Sequence, residues 1–231
     1  MFDFTGSVNE FRRNLSEQHA LGGGDYPEAI HLALEQSGKL SWQDKDVARV
    51  LFLVADAPPH RRFSQRTVNA VLDLRSLGVT IFPVAASGVR DEAEFVMRAA
   101  SFLTMGQYLF LTDHSGVGNP HTKPHTPRYQ IEKLNQLMIR MIASELAGRW
   151  IPQHEIIAAE EINRTPPVET SIERHQLPES TFTPAQAQVG KSVCGYFGIL
   201  QCLDRFTGII SWLALPALIV FLVVAERRWA A

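Results

Sequence analysis

Three carboxylates and a glycine run carry the chemistry this chain can offer. Asp25 and Glu28 sit in Gly22-Gly23-Gly24-Asp25-Tyr26-Pro27-Glu28-Ala29, a glycine-rich turn leading into a helix. Asp56 ends an apolar run in Val54-Ala55-Asp56-Ala57-Pro58-Pro59-His60. Carboxylates are hard oxygen donors, the kind that Mg²⁺, Mn²⁺ or Ca²⁺ takes. Gly23 and Gly24 would let the backbone pack close to an ion without side-chain interference. Spacing alone leaves two readings open: a cation site, or acids that complement the dipole of a helix N-terminus. Asp56 with His60 also permits an acid–base pair of a hydrolase, but no nucleophile accompanies it. Ser87 lacks the Gly-x-Ser-x-Gly elbow, and no Gly-x-x-x-x-Gly-Lys-[Ser/Thr] loop occurs. His121 and His125, in a Pro/Thr-rich loop, read as solvated residues and not as a zinc site.

The elements that must position these acids follow from apolar periodicity. Phe2–Thr5 reads as a short strand, and Val8–Leu15 as a short helix on the spacing of Val8, Phe11 and Leu15. Pro27 suits the first turn of a helix whose face is Ile30, Ala33 and Leu34 and which Gly38 ends. Arg49–Ala55 is continuously apolar, as a strand covered on both faces is. Ser64–Leu77 is predicted helical, with Val68, Val71 and Leu72 inward and Gly78 as its stop. Val79–Ala86 is a second buried strand, whose Pro83 predicts a strand end or bulge because proline cannot donate to a ladder. Asp91–Phe102 reads as a helix, Gln107–Leu111 as a strand. Ile131–Leu146 is a helix on the stripe Leu134, Leu137, Met138, Met141 and Ile142. Alternation of strand and helix predicts an α/β fold: an open, mostly parallel sheet with helices on both faces. Sites in such sheets lie at the carboxyl ends of strands, where Asp56 falls.

Of the 231 residues, 45% are hydrophobic and 20% charged, with a formal net charge of -2. That balance suits a packed core and gives no basic face for nucleic acid. Cys194 and Cys202 are too few for a disulfide scaffold. From Gly148 to about Lys191 prolines and acids recur without apolar period, as in a linker. Gly208–Ala225 then runs without charge, with Trp212 and Trp229 near its ends. Its 18 residues, at about 1.5 Å each, reach just far enough to cross a hydrocarbon core as a helix. A single-pass membrane protein is therefore expected. Its orientation is undecided: Arg227 and Arg228 follow the span, Lys191 and Arg205 precede it, and only proximity favours a cytoplasmic C-terminus. Met1–Thr5 carries no signal-peptide pattern.

The stretch from Met1 to about Arg149 resembles the von Willebrand factor type A domain, especially its bacterial members. Asp25-Tyr26-Pro27-Glu28 is similar to the Asp-x-Pro-Glu loop of integrin β-subunit domains, and Val54-Ala55-Asp56-Ala57 to the strand-end aspartate of the same site. The resemblance implies that Glu28 reaches a metal-ion-dependent adhesion site, that Asp56 acts there through a bound water, and that Asp25 and the Pro27 carbonyl serve a neighbouring cation. It implies a binding module, not an enzyme, whose Mg²⁺ (or Mn²⁺ or Ca²⁺) bridges to a carboxylate on a partner protein. The family's opening Asp-x-Ser-x-Ser is missing from Met1–Gly24, and Asp113-His114-Ser115-Gly116-Val117 is no substitute. Measured against the family, the chain starts at the third strand and lacks something like 60–90 residues, the length of two strands and a crossover helix. Two consequences are expected: weak ion binding, and an unpaired apolar edge on Arg49–Ala55. The expected organisation is a partial domain over 1–149, a linker over 150–191, a juxtamembrane segment over 192–207, the transmembrane helix over 208–225 and a short tail over 226–231. The alternatives are a hydrolase-like α/β enzyme using Asp56 and His60, and a nonfunctional truncated fragment.

Overall fold

Strand and helix alternate along the chain as the periodicity predicts. The computed structural model describes residues 2–18, 25–44, 46–86, 88–113 and 129–157, with the backbone of 219–226. The helices are α1 (Val8–Ser16), α2 (Ile30–Ser37), α3 (Ser64–Ser76), α4 (Asp91–Leu103) and α5 (Leu134–Ala147). The strands are β1 (Val47–Ala55), β2 (Val79–Ala85), β3 (Leu109–Phe110) and β4 (Ile219–Glu226). They form one sheet in the order β3-β2-β1-β4. β1, β2 and β3 are parallel, and β4 runs antiparallel to β1.

Both faces of the sheet are covered, which is why its strands are apolar without alternation. Val50 and Phe52 of β1, with Phe82 and Val84 of β2, pack under Met138, Met141 and Ile142 of α5. The intervening residues Leu51, Leu53 and Ile81 face the other way, onto Ile30 and Leu34 of α2, Val71 and Leu74 of α3 and Met97 of α4. The core continues past α5: Ile151 and Ile156 belong to the α5 side. The packed unit therefore extends into the segment expected as linker, of which 158–191 lie outside the described residues.

Several local expectations are corrected. Phe2–Thr5 is not a strand; the Asp3 carboxylate accepts from the Ser41 backbone N–H and hydroxyl, and Phe4 packs edge-on to Trp42. Helix α3 buries Thr67, Ala70, Val71 and Leu74 and leaves Val68 and Leu72 exposed. That face carries small residues, which let the helix sit close to the sheet. Pro83 lies within β2, opposite Leu53, with no bulge. Ile81 donates its N–H away from β1, to the Thr104 hydroxyl, whereas Ala86 donates to Ala55 of β1. By strand alternation Pro83 shares the Ile81 side, and β3 pairs only from Val84 onward. The missing donor is thus at a level where no ladder partner exists.

The largest difference concerns the tail. Residues 219–225, expected as the distal part of a membrane-spanning helix, form strand β4 in register from Val47↔Glu226 to Val54↔Ile219. Ile219, Val220, Val223 and Val224 are β-branched and favour a strand. The segment also takes up the edge of β1 that was expected to stand unpaired, supplying partners to backbone groups that would otherwise lack them. Residues 208–218 lie outside the described residues, and among the described residues no helix is long and apolar enough to cross a membrane.

Candidate functional site

Asp56 is placed by β1, directly after its last residue, Ala55. The chain then turns through Ala57, Pro58 and Pro59, and this turn captures the Asp25–Glu28 segment. The Glu28 N–H donates to the Pro58 carbonyl at 2.8 Å, and Glu28 forms a parallel bridge with Pro59. Glu28 and Pro27 therefore precede the helix instead of forming its first turn; α2 begins at Ile30, with Ala29 at its N-cap. The Tyr26 hydroxyl donates to the Asp56 carbonyl at 3.1 Å, and the Arg90 guanidinium lies 4.4 Å from the Tyr26 ring centroid. A second loop, just ahead of α4, thus braces the first.

These contacts bring two of the predicted acids to one place. Burial raises the Glu28 carboxyl above its ordinary range; repulsion from Asp56 and then Asp25 adds to it. Burial also raises the Asp56 carboxyl. Asp56 Oδ1 is buried and, among the described residues, has no hydrogen-bond partner. Such an atom is costly unless something supplies positive charge or a donor. Asp25 is exposed, and its Oδ2 lies 3.7 Å from His60 Nδ1. His60 is thereby directed to Asp25, whereas the hydrolase-like alternative pairs it with Asp56. Gly23 and Gly24 lie outside the described residues, as do His121, His125, Cys194 and Cys202.

A divalent cation fits this site in part. Glu28 and Asp56 offer oxygen donors of the right hardness, and the orphaned Asp56 oxygen is a vacant acceptor. Among the described residues, however, no group of three or more His, Cys, Asp or Glu side chains could hold an ion. Two carboxylates leave most of an octahedral shell to water or to a partner, which means weak binding.

A second feature lies away from these acids. A cavity of about 330 Å³ beside β3 is lined by Tyr108, Phe110, Tyr129, Arg140 and Trp150 among others, and shares no residue with the acid cluster. Within it Arg140, only 3% exposed, is bonded to the buried Glu132 at 2.6 Å and lies under the Trp150 ring. A charged residue inside an otherwise apolar helical stripe is the one sequence signal for it, and that signal does not reveal the partner.

Compared with family models, with curated proteins and with solved structures, the chain matches none.

Proposed function

We propose that this α/β unit is a non-enzymatic binding module of the von Willebrand factor A type. Glu28 and Asp56 hold a divalent cation of the Mg²⁺ class at the carboxyl end of β1, and a carboxylate on a partner protein completes its shell. Gly208–Ala225 tethers the module to a membrane as a single span. The observation that supports this reading best is the convergence of Glu28 with Asp56, whose buried Oδ1 has no hydrogen-bond partner among the described residues. Backbone N–H groups, Asp56's own and that of Ala29, offset part of the charge of Asp56 and Glu28, but a cation would relieve both the isolation of Asp56 Oδ1 and its repulsion with Glu28.

When bound, the cation supplies a positive charge that can accept a further oxygen donor. The chain's own residues do the positioning. The Pro58–Pro59 turn fixes the Glu28 backbone, and the Tyr26 hydroxyl, set beneath Arg90, holds the Asp56 main chain. Thermal melting of metal-free protein with and without Mg²⁺ tests the proposal. A rise in Tm on adding Mg²⁺, reversed by chelator and absent in Asp56→Ala, is expected, because a ligand of the folded state stabilises it by mass action. An unchanged Tm at saturating Mg²⁺ would contradict it.

A further inference from the structure

We infer that the free edge of β1 is a strand-acceptor surface occupied by the chain's own segment Ile219–Glu226, and that this segment leaves the edge when the tail enters a bilayer. The inference rests on the membrane tether proposed above. Its first support is pairing. All eight residues of β4 are in antiparallel register with β1, from Val47↔Glu226 to Val54↔Ile219. Its second is the nature of the acceptor: β1 is covered on both faces, Val50 and Phe52 packing on the α5 side and Leu51 and Leu53 on the α2–α4 side, as in an interior strand and not an edge. An apolar strand of this kind needs a neighbour on both sides to satisfy its backbone.

The third support is length. The uncharged run Gly208–Ala225 is just sufficient to span a hydrocarbon core. With 219–225 held in the sheet, residues 208–218 remain, about 16 Å of helix at ~1.5 Å per residue, roughly half a bilayer core. Strand and span therefore exclude one another. Among the described residues, β4 is also the one antiparallel strand of an otherwise parallel sheet. The β1–β2 and β2–β3 pairings are made without it.

The test is a cross-link that reports the strand. Val47 and Glu226 are Cα partners at the end of the ladder. Ala55 accepts on its β2 side from Ala86, so by alternation Val47 belongs to the non-hydrogen-bonded pairs with β4. There Cα atoms lie about 4.5 Å apart, within reach of a disulfide. The full chain carrying Val47→Cys and Glu226→Cys, with Cys194→Ser and Cys202→Ser, is synthesised cell-free with and without phosphatidylcholine–phosphatidylglycerol vesicles and oxidised mildly. Vesicle flotation is scored on the same samples. The expected result is efficient cross-linking without lipid and at least a fivefold loss of it in floated protein. Equal cross-linking in floated protein, or none without lipid, overturns the exchange. Cross-linking in both samples with no flotation overturns it too, and in that case locates the failure in the membrane tether. Val47→Cys paired with Cys at Val224, a position not opposite it, is the register control.

Discussion

At the carboxyl end of β1, burial holds the Asp56 carboxyl above its ordinary value, and burial with repulsion from Asp56 and Asp25 does the same for Glu28. A raised carboxyl pKa means that the folded chain keeps its proton to higher pH than the unfolded chain does. The stability these groups contribute is therefore complete below the ordinary carboxylate range and is lost as pH rises through their folded values. Without divalent cation, Asp56→Asn should then be more stable than the parent at pH 7, by about 1 kcal/mol, the scale of an unsatisfied buried polar group. The advantage should vanish as pH falls below the carboxylate range. Chemical denaturation across pH measures this difference. The opposite shifts of Asp3, held low by Ser41, and Glu35, held low by Arg66, are common to both proteins and cancel. A variant less stable than the parent at pH 7 would show that Asp56 serves the fold and not a ligand. Residue types and the strand-end position made Glu28 and Asp56 legible as oxygen donors. What stayed hidden was partnership: that Tyr26 braces Asp56, and that His60 lies against Asp25, since both contacts depend on how two loops meet.

Among the elements, the link from α4 to β3 shows how tightly the sheet edge is fastened. Thr104 accepts the Ile81 N–H, and Gly106 lies so close to β2 that an added Cβ would stand 2.0 Å from the Ile81 carbonyl oxygen. Gly106→Ala should destabilise the protein by about 3 kcal/mol through this clash. Urea unfolding would measure it, and a loss under about 1 kcal/mol would show that the turn can shift aside. The extents of β1, β2 and α3–α5 were readable because long apolar runs and 3.6-residue stripes come from burial itself. The inward face of α3 was misread because hydrophobicity alone favours Val68 and Leu72, whereas close packing on the sheet selects Thr67 and Ala70. Pro83 was misread because a strand has two sides, and composition does not say which one carries the ladder.

For the whole molecule, the sequence made the covered parallel sheet legible, while the tail admitted two outcomes. An uncharged run long enough for a bilayer is also, over 219–225, most of a strand rich in β-branched residues with an apolar edge to meet. Local composition cannot choose between them, because the choice depends on whether lipid or β1 is the available partner. A binding module of this kind must hold a cation through Glu28 and Asp56. Titrating Mn²⁺ into metal-free protein, and following the paramagnetic resonance signal of the free aquo ion, measures that directly. The expected result is one bound ion per chain with a Kd on the order of 1 mM, in keeping with so few protein ligands, and loss of binding in Glu28→Gln/Asp56→Asn. A free-ion signal undiminished by the protein, or binding that survives the double substitution, would contradict it.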